Sequence, residues 1–168
     1  ITGMLFFVAG SVKHRYHTLE ISRLSGMLIQ MPRLGWILGF AAMASLGLPG
    51  LAGFWGEFPA ILSAYNPNFG LSEALFRTLM VVAAIGTVFA AAYLLWLYQR
   101  TAFGRPNPEF EQGAHHPVGA GVNDEHHDVD LHDVTKIEWI AWTPFLLAIV
   151  VFGVYPQLMF GVMDPAVS

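Results

Sequence analysis

The chain has 168 residues, 55% of them hydrophobic and 12% charged, with a mean hydropathy of +0.52. That charged fraction is about half that of an ordinary soluble domain, which argues against one. The absence of cysteine excludes disulfides, thiolate catalysis and cysteine-ligated iron–sulfur clusters, and a net charge of −4 gives no signal for nucleic acid.

In chain order, Ile1–Val12 is apolar but too short to span a bilayer, and it runs into Lys13-His14-Arg15. It reads as the end of a transmembrane helix, and the chain as a C-terminal piece of a larger membrane protein. Residues 13–33 form a basic loop. His14 and His17 flank Arg15 there and read as solvated interfacial side chains rather than as a proton feed or a headgroup site.

Three segments lack any Asp, Glu, Lys, Arg or His: Leu34–Gly56 with 23 residues, Thr78–Gln99 with 22 and Trp139–Met163 with 25. Each reaches the roughly 20 residues that a crossing needs. Tryptophan and tyrosine gather near their ends, as in an interfacial aromatic belt. The stretch 34–65 is too long for one straight crossing and too short for two with a loop. Its middle, Gly47–Gly56, is poor helix, because glycine costs about 1 kcal/mol and proline about 3 kcal/mol relative to alanine. Two half-helices making one crossing are expected, with unwound backbone shielded among other helices. Gly35 and Gly39 form a small-xxx-small pair of the kind that permits close helix approach.

Residues 66–77 read as a non-cytoplasmic loop and 78–99 as a transmembrane helix. Residues 100–138 read as a polar cytoplasmic loop rich in histidine and acids, 139–163 as the last transmembrane helix, and 164–168 as a short tail. In this threading Lys13, Arg15, Arg23, Arg33, Arg100, Arg105 and Lys136 share one side, with Arg77 alone on the other. The positive-inside rule makes the first side cytoplasmic and puts the C-terminus on the non-cytoplasmic side. The tract His115-His116, Asp124 to Asp128, Asp130, His132 and Asp133 has the residue types of a metal site. It lacks ligands at helical spacing, so a solvated acidic loop without a metal is expected. No Walker, GxGxxG or GxSxG motif is present.

Glu57 is the only charged residue between Leu34 and Ser72. A carboxylate at membrane depth is by default a functional candidate. Pro59 suits a first helical turn, so the second half-helix is expected to start at about Gly56, with Glu57 at its N-terminus. Loss of hydration favours the protonated form there, and the positive end of the helix favours the ionised form. Such a balance would let the group take up and release protons. The alternative is that Glu57 only caps the half-helix or sits in a static ion pair.

Several stretches carry a resemblance. They are Arg15-Tyr16-His17-Thr18, Gly26, Met31-Pro32, Ala44 through Gly50, Gly53 through Phe58, Tyr93, Phe103-Gly104, Asp133, Glu138, Pro144 and Gly153 through Pro156. Together the chain resembles subunit M, an antiporter-like membrane subunit of bacterial proton-pumping NADH-quinone oxidoreductase (respiratory complex I), in its C-terminal part. The resemblance implies an all-α transmembrane fold: a fragment of an antiporter-like helix bundle with one discontinuous helix. It implies that Glu57 is a proton relay, and glutamate rather than lysine there points to subunit M over its sisters. Ser25 and Ile137 depart from the family pattern. The implied function is proton translocation coupled to quinone reduction, with no redox centre in this chain. FMN, iron–sulfur clusters and quinone would belong to partner subunits. The implied partners are antiporter-like neighbour subunits and lipids, in the bacterial cytoplasmic membrane. Three other readings stay open: a monovalent cation/proton antiporter subunit, a structural membrane-arm piece in which Glu57 only holds the helix, and a metal-responsive protein using the histidine-rich loop.

Overall fold

Helices form wherever the sequence offers a charge-free or leucine- and alanine-rich run, and no strand occurs among the described residues. The structure is a computed structural model that describes residues 1–67, 70, 72–110 and 131–161, apart from the Glu109 side chain. The helices are α1 (Thr2–Tyr16), α2 (Met27–Gln30), α3 (Pro32–Ser45), α4 (Ala52–Ser63), α5 (Glu73–Ala102) and α6 (Lys136–Val154).

α3 lies at the centre and touches α1, α2, α4 and α5. Its residues Leu34, Ile37, Leu38, Ala41 and Ala44 recur at helical spacing and are buried. Met4, Val8 and Val12, each one turn apart on α1, bury their side chains in the same core. The two glycines of the small-residue pair serve different neighbours. A Cβ on Gly35 would come within 2.8 Å of Leu28, and one on Gly39 within 2.6 Å of the Tyr98 ring on α5.

Among the described residues, α5 and α6 are the helices long and apolar enough to cross a membrane, with mean hydropathies of 2.2 and 1.9 over an 18-residue stretch. Their apolar sides are largely uncovered: Phe89 is 70% exposed and Ile140 is 75% exposed. Apolar surface on this scale marks a face that meets lipid or other protein.

The helix ends have local causes. α1 runs beyond Val12 into the expected loop, and its last turn carries Lys13, His14 and Arg15, cations that complement the negative end of a helix. It stops at His17, whose φ of 53° is left-handed. α6 opens with a reciprocal capping box. Thr135 Oγ1 accepts the Glu138 backbone N–H, and Glu138 Oε2 accepts the Thr135 backbone N–H at 2.8 Å. It ends at Val154, just before Tyr155-Pro156.

Candidate functional site: the α3–α4 junction

The link between α3 and α4 is short and built by glycine. Leu46 closes the last turn of α3 by donating to Ala42 O at 3.0 Å, and Gly47 follows with φ 67°. A left-handed glycine at this position is a common helix stop. Leu48-Pro49-Gly50-Leu51 then makes a tight turn, with the Leu51 N–H on Leu48 O at 3.0 Å and Gly50 at φ 93°. Proline second and positive-φ glycine third is the pattern of a type II turn.

This turn launches α4 earlier than the sequence suggests. The expected non-helical stretch was Gly47–Gly56, whereas Ala52 to Gly56 are already helical. Pro59 therefore lies inside α4 rather than in its first turn, and Glu57 sits in the second turn rather than at the N-terminus. The competing force is turn closure at Leu51, which sets the helix start before the preference of Pro59 can act.

The Glu57 carboxylate nonetheless returns to the junction. Side chains on a helix lean toward its N-terminus, over the preceding turn. Oε2 of Glu57 lies 2.9 Å from where a Cβ on Gly47 would stand. Gly53 packs under the same place: a Cβ there would run into the Ala44 carbonyl oxygen at the end of α3. Glu57 is exposed, and it has no hydrogen-bond or ion-pair partner among the described residues. None of the α4 residues is fully buried, so the carboxylate is positioned by backbone rather than by a packed pocket.

α6 closes the other side of the junction. A Cβ on Gly153 would meet the Gly50 carbonyl and the Leu51 Cα, so α6 approaches the link backbone to backbone. The Trp55 indole N–H donates to Gly153 O at 2.8 Å. Gly153 is in the last turn of α6, where carbonyls lack intrahelical donors, so Trp55 supplies one.

At its other end α6 is anchored by a polar cluster that sequence reasoning did not foresee. Arg15 is fully buried and grips Glu138 with two nitrogens, at 2.6 and 3.0 Å. Its Nε–H donates to His132 O at 2.7 Å, and Ser11 donates to Glu138 Oε1 at 2.7 Å. Next to it, Asp133 accepts the backbone N–H groups of Arg33 and Leu34, both at 3.1 Å. That is an N-cap supplied to α3 from the far end of the chain, where Met31 offers no side-chain oxygen. Both Arg15 and Glu138 stood among the residues carrying the resemblance. Their pairing had no local signal.

His14 is exposed and His17 serves as the C-cap of α1. The histidine-rich tract lies outside the described residues apart from His132 and Asp133, whose contacts above are structural. No group of three potential metal ligands occurs among the described residues.

The described residues thus combine two uncovered apolar helices of membrane length with a carboxylate folded back onto a helix junction. Residues 1–88, more than half of the chain, match the family described as NADH:quinone oxidoreductase/Mrp antiporter, transmembrane, and the chain belongs to that family. It is similar over its whole length to NADH-quinone oxidoreductase subunit M of Rhodobacter capsulatus (33% identical) and of Rickettsia conorii (31%), and to NADH-ubiquinone oxidoreductase chain 4 of Marchantia polymorpha (29%). The chain spans only 28–29% of the length of these relatives.

Proposed function

We propose that this chain is part of a proton-translocating membrane subunit of an NADH-quinone oxidoreductase, and that Glu57 is its proton relay. The observation that carries the reading is the Glu57 carboxylate returned to the Gly47 link in a chain of this family. α3 and α4 are each about 20 Å long at 1.5 Å per residue, too short for a hydrocarbon core of about 30 Å. Together they make one crossing, with the link near midmembrane and Glu57 beside it. Backbone that is not helical at that depth has to face protein or water. Water at the link would give the carboxylate a donor and an acceptor for protons. FMN, iron–sulfur clusters and quinone belong to partner subunits, and quinone reduction acts on Glu57 through charge along the membrane arm.

The test is Glu57→Gln in the assembled complex. Quinone reduction should persist while the protons moved per NADH fall. Normal pumping in that variant would overturn the relay role, and failed assembly would favour the structural reading instead. The family description also covers Mrp antiporters, which supports a cation/proton antiporter subunit as the second reading. Co-purification of the full-length chain with flavin and iron–sulfur subunits decides between the two.

A further inference from the structure

A cleft of about 500 Å³ opens where the charge-free run of α5 ends. Its lining includes Ser22, Leu24, Trp96, Gln99, Arg100 and Arg105. Three cross-links hold the two loops that frame it. The Gly26 N–H donates to Phe103 O at 3.2 Å, Ser25 Oγ donates to Arg105 O at 2.8 Å, and Asn107 Nδ2 donates to Arg23 O at 3.2 Å. Gly26 lies so close to Pro106 that a Cβ would stand 2.6 Å from its nitrogen. The cleft is therefore framed by fixed backbone.

Its chemistry is two-sided. Arg100 and Arg105 are exposed and have no ion pair among the described residues. Among the described residues, the lining holds these two cations and no carboxylate. Trp96, 56% exposed, lies four residues before Arg100 at the end of the charge-free run, the position along a span where tryptophan is enriched. Ile21 and Leu24 line this cleft and also a second, apolar groove of about 290 Å³. That groove runs between α1, α3 and α5 along Val8, Leu38, Ala42 and Leu94. A cationic cleft that shares two residues with a hydrocarbon-lined groove matches one molecule with an anionic head and an apolar tail.

We propose that this composite cavity binds one anionic phospholipid, its phosphate between Arg100 and Arg105 and one acyl chain in the groove. Basic pockets between transmembrane helices hold anionic headgroups in this way, each arginine near the surface adding about fivefold in affinity. A free phosphate would satisfy the arginines alone and leave the groove unexplained.

The experiment uses the full-length subunit in its native assembly, reconstituted into nanodiscs with a phosphatidylglycerol bearing a photoactivatable acyl chain. Labelling should fall on peptides within residues 5–42 and 94–105, and phosphatidylcholine with the same chain should label them severalfold less. Arg100→Gln with Arg105→Gln should reduce the phosphatidylglycerol signal at least tenfold, about fivefold per arginine taken jointly, and the paired lysine variant should restore most of it. Equal labelling by the neutral lipid, no labelling of these peptides, or loss of labelling with millimolar-range inorganic phosphate alone would each overturn the proposal. The wild-type comparison of the two lipids stands even if the glutamine variant fails to assemble. None of these readouts depends on proton pumping.

Discussion

Gly47 holds a left-handed φ of 67°, and its missing Cβ is also the space into which the Glu57 carboxylate folds. Gly47→Ala therefore carries two costs. Left-handed backbone with a Cβ costs about 1–2 kcal/mol, and the added methyl would stand 2.9 Å from the carboxylate oxygen, which must move. We expect a lower melting temperature of the assembled complex together with reduced proton translocation. Gly70→Ala is the control. Gly70 shares a φ of 70° but has nothing within 4 Å, so its alanine variant should lose stability alone. A fall in pumping of equal size in both variants would detach Gly47 from the placement of Glu57. At this scale much was legible in the sequence. The Gly47-Leu48-Pro49-Gly50 run marked the link, and the lone charge marked the carboxylate that folds onto it. The position of Glu57 within α4 was not legible, because proline is commonest in a first helical turn and nothing beside Pro59 marks the interior place it takes.

Between elements, long-range polar contacts set the geometry. Asp133 caps α3 across a separation of about 100 residues. Asp133→Ala should cost about 1 kcal/mol, the usual loss of an N-cap, read as a lower thermal midpoint without loss of assembly. Arg15→Ala is more severe, since it leaves the Glu138 carboxylate without its guanidinium partner. Removing one member of a buried pair costs about 3–5 kcal/mol, with the lower end expected here because Glu138 is 23% exposed. Arg15→Met combined with Glu138→Gln should recover part of that loss, and a double-mutant cycle measures the coupling. Additive losses would show that the two groups act independently. Arg15→Lys should also fall short, because an ammonium cannot reproduce the two-nitrogen grip. Hydrophobic periodicity reports which face of a helix is buried. It carries no information on which residue meets another more than a hundred positions away, so this cluster stayed hidden while the helices themselves did not.

For the whole molecule, the orientation is open to direct test. The chain has no cysteine, so single probes are clean within it. With α3 and α4 as one crossing, Glu20→Cys and Ser72→Cys react with a membrane-impermeant maleimide from opposite sides, Glu20→Cys from the cytoplasm. Reaction of both from one side would remove the single-crossing reading. The sequence marks α5 and α6 by composition alone. α6 itself ends at Val154, and the chain is helical again at 157–161 after Tyr155-Pro156.

The crossing of α6 over the link sets a mechanical tolerance. At Gly153, backbone rests on the backbone of Gly50 and Leu51, with no side chain between them. Where side chains fill an interface, rotamers absorb small displacements. Here the separation is set by backbone atoms in contact. A displacement at the link therefore meets the backbone of α6 directly, with no side chain between them to absorb it.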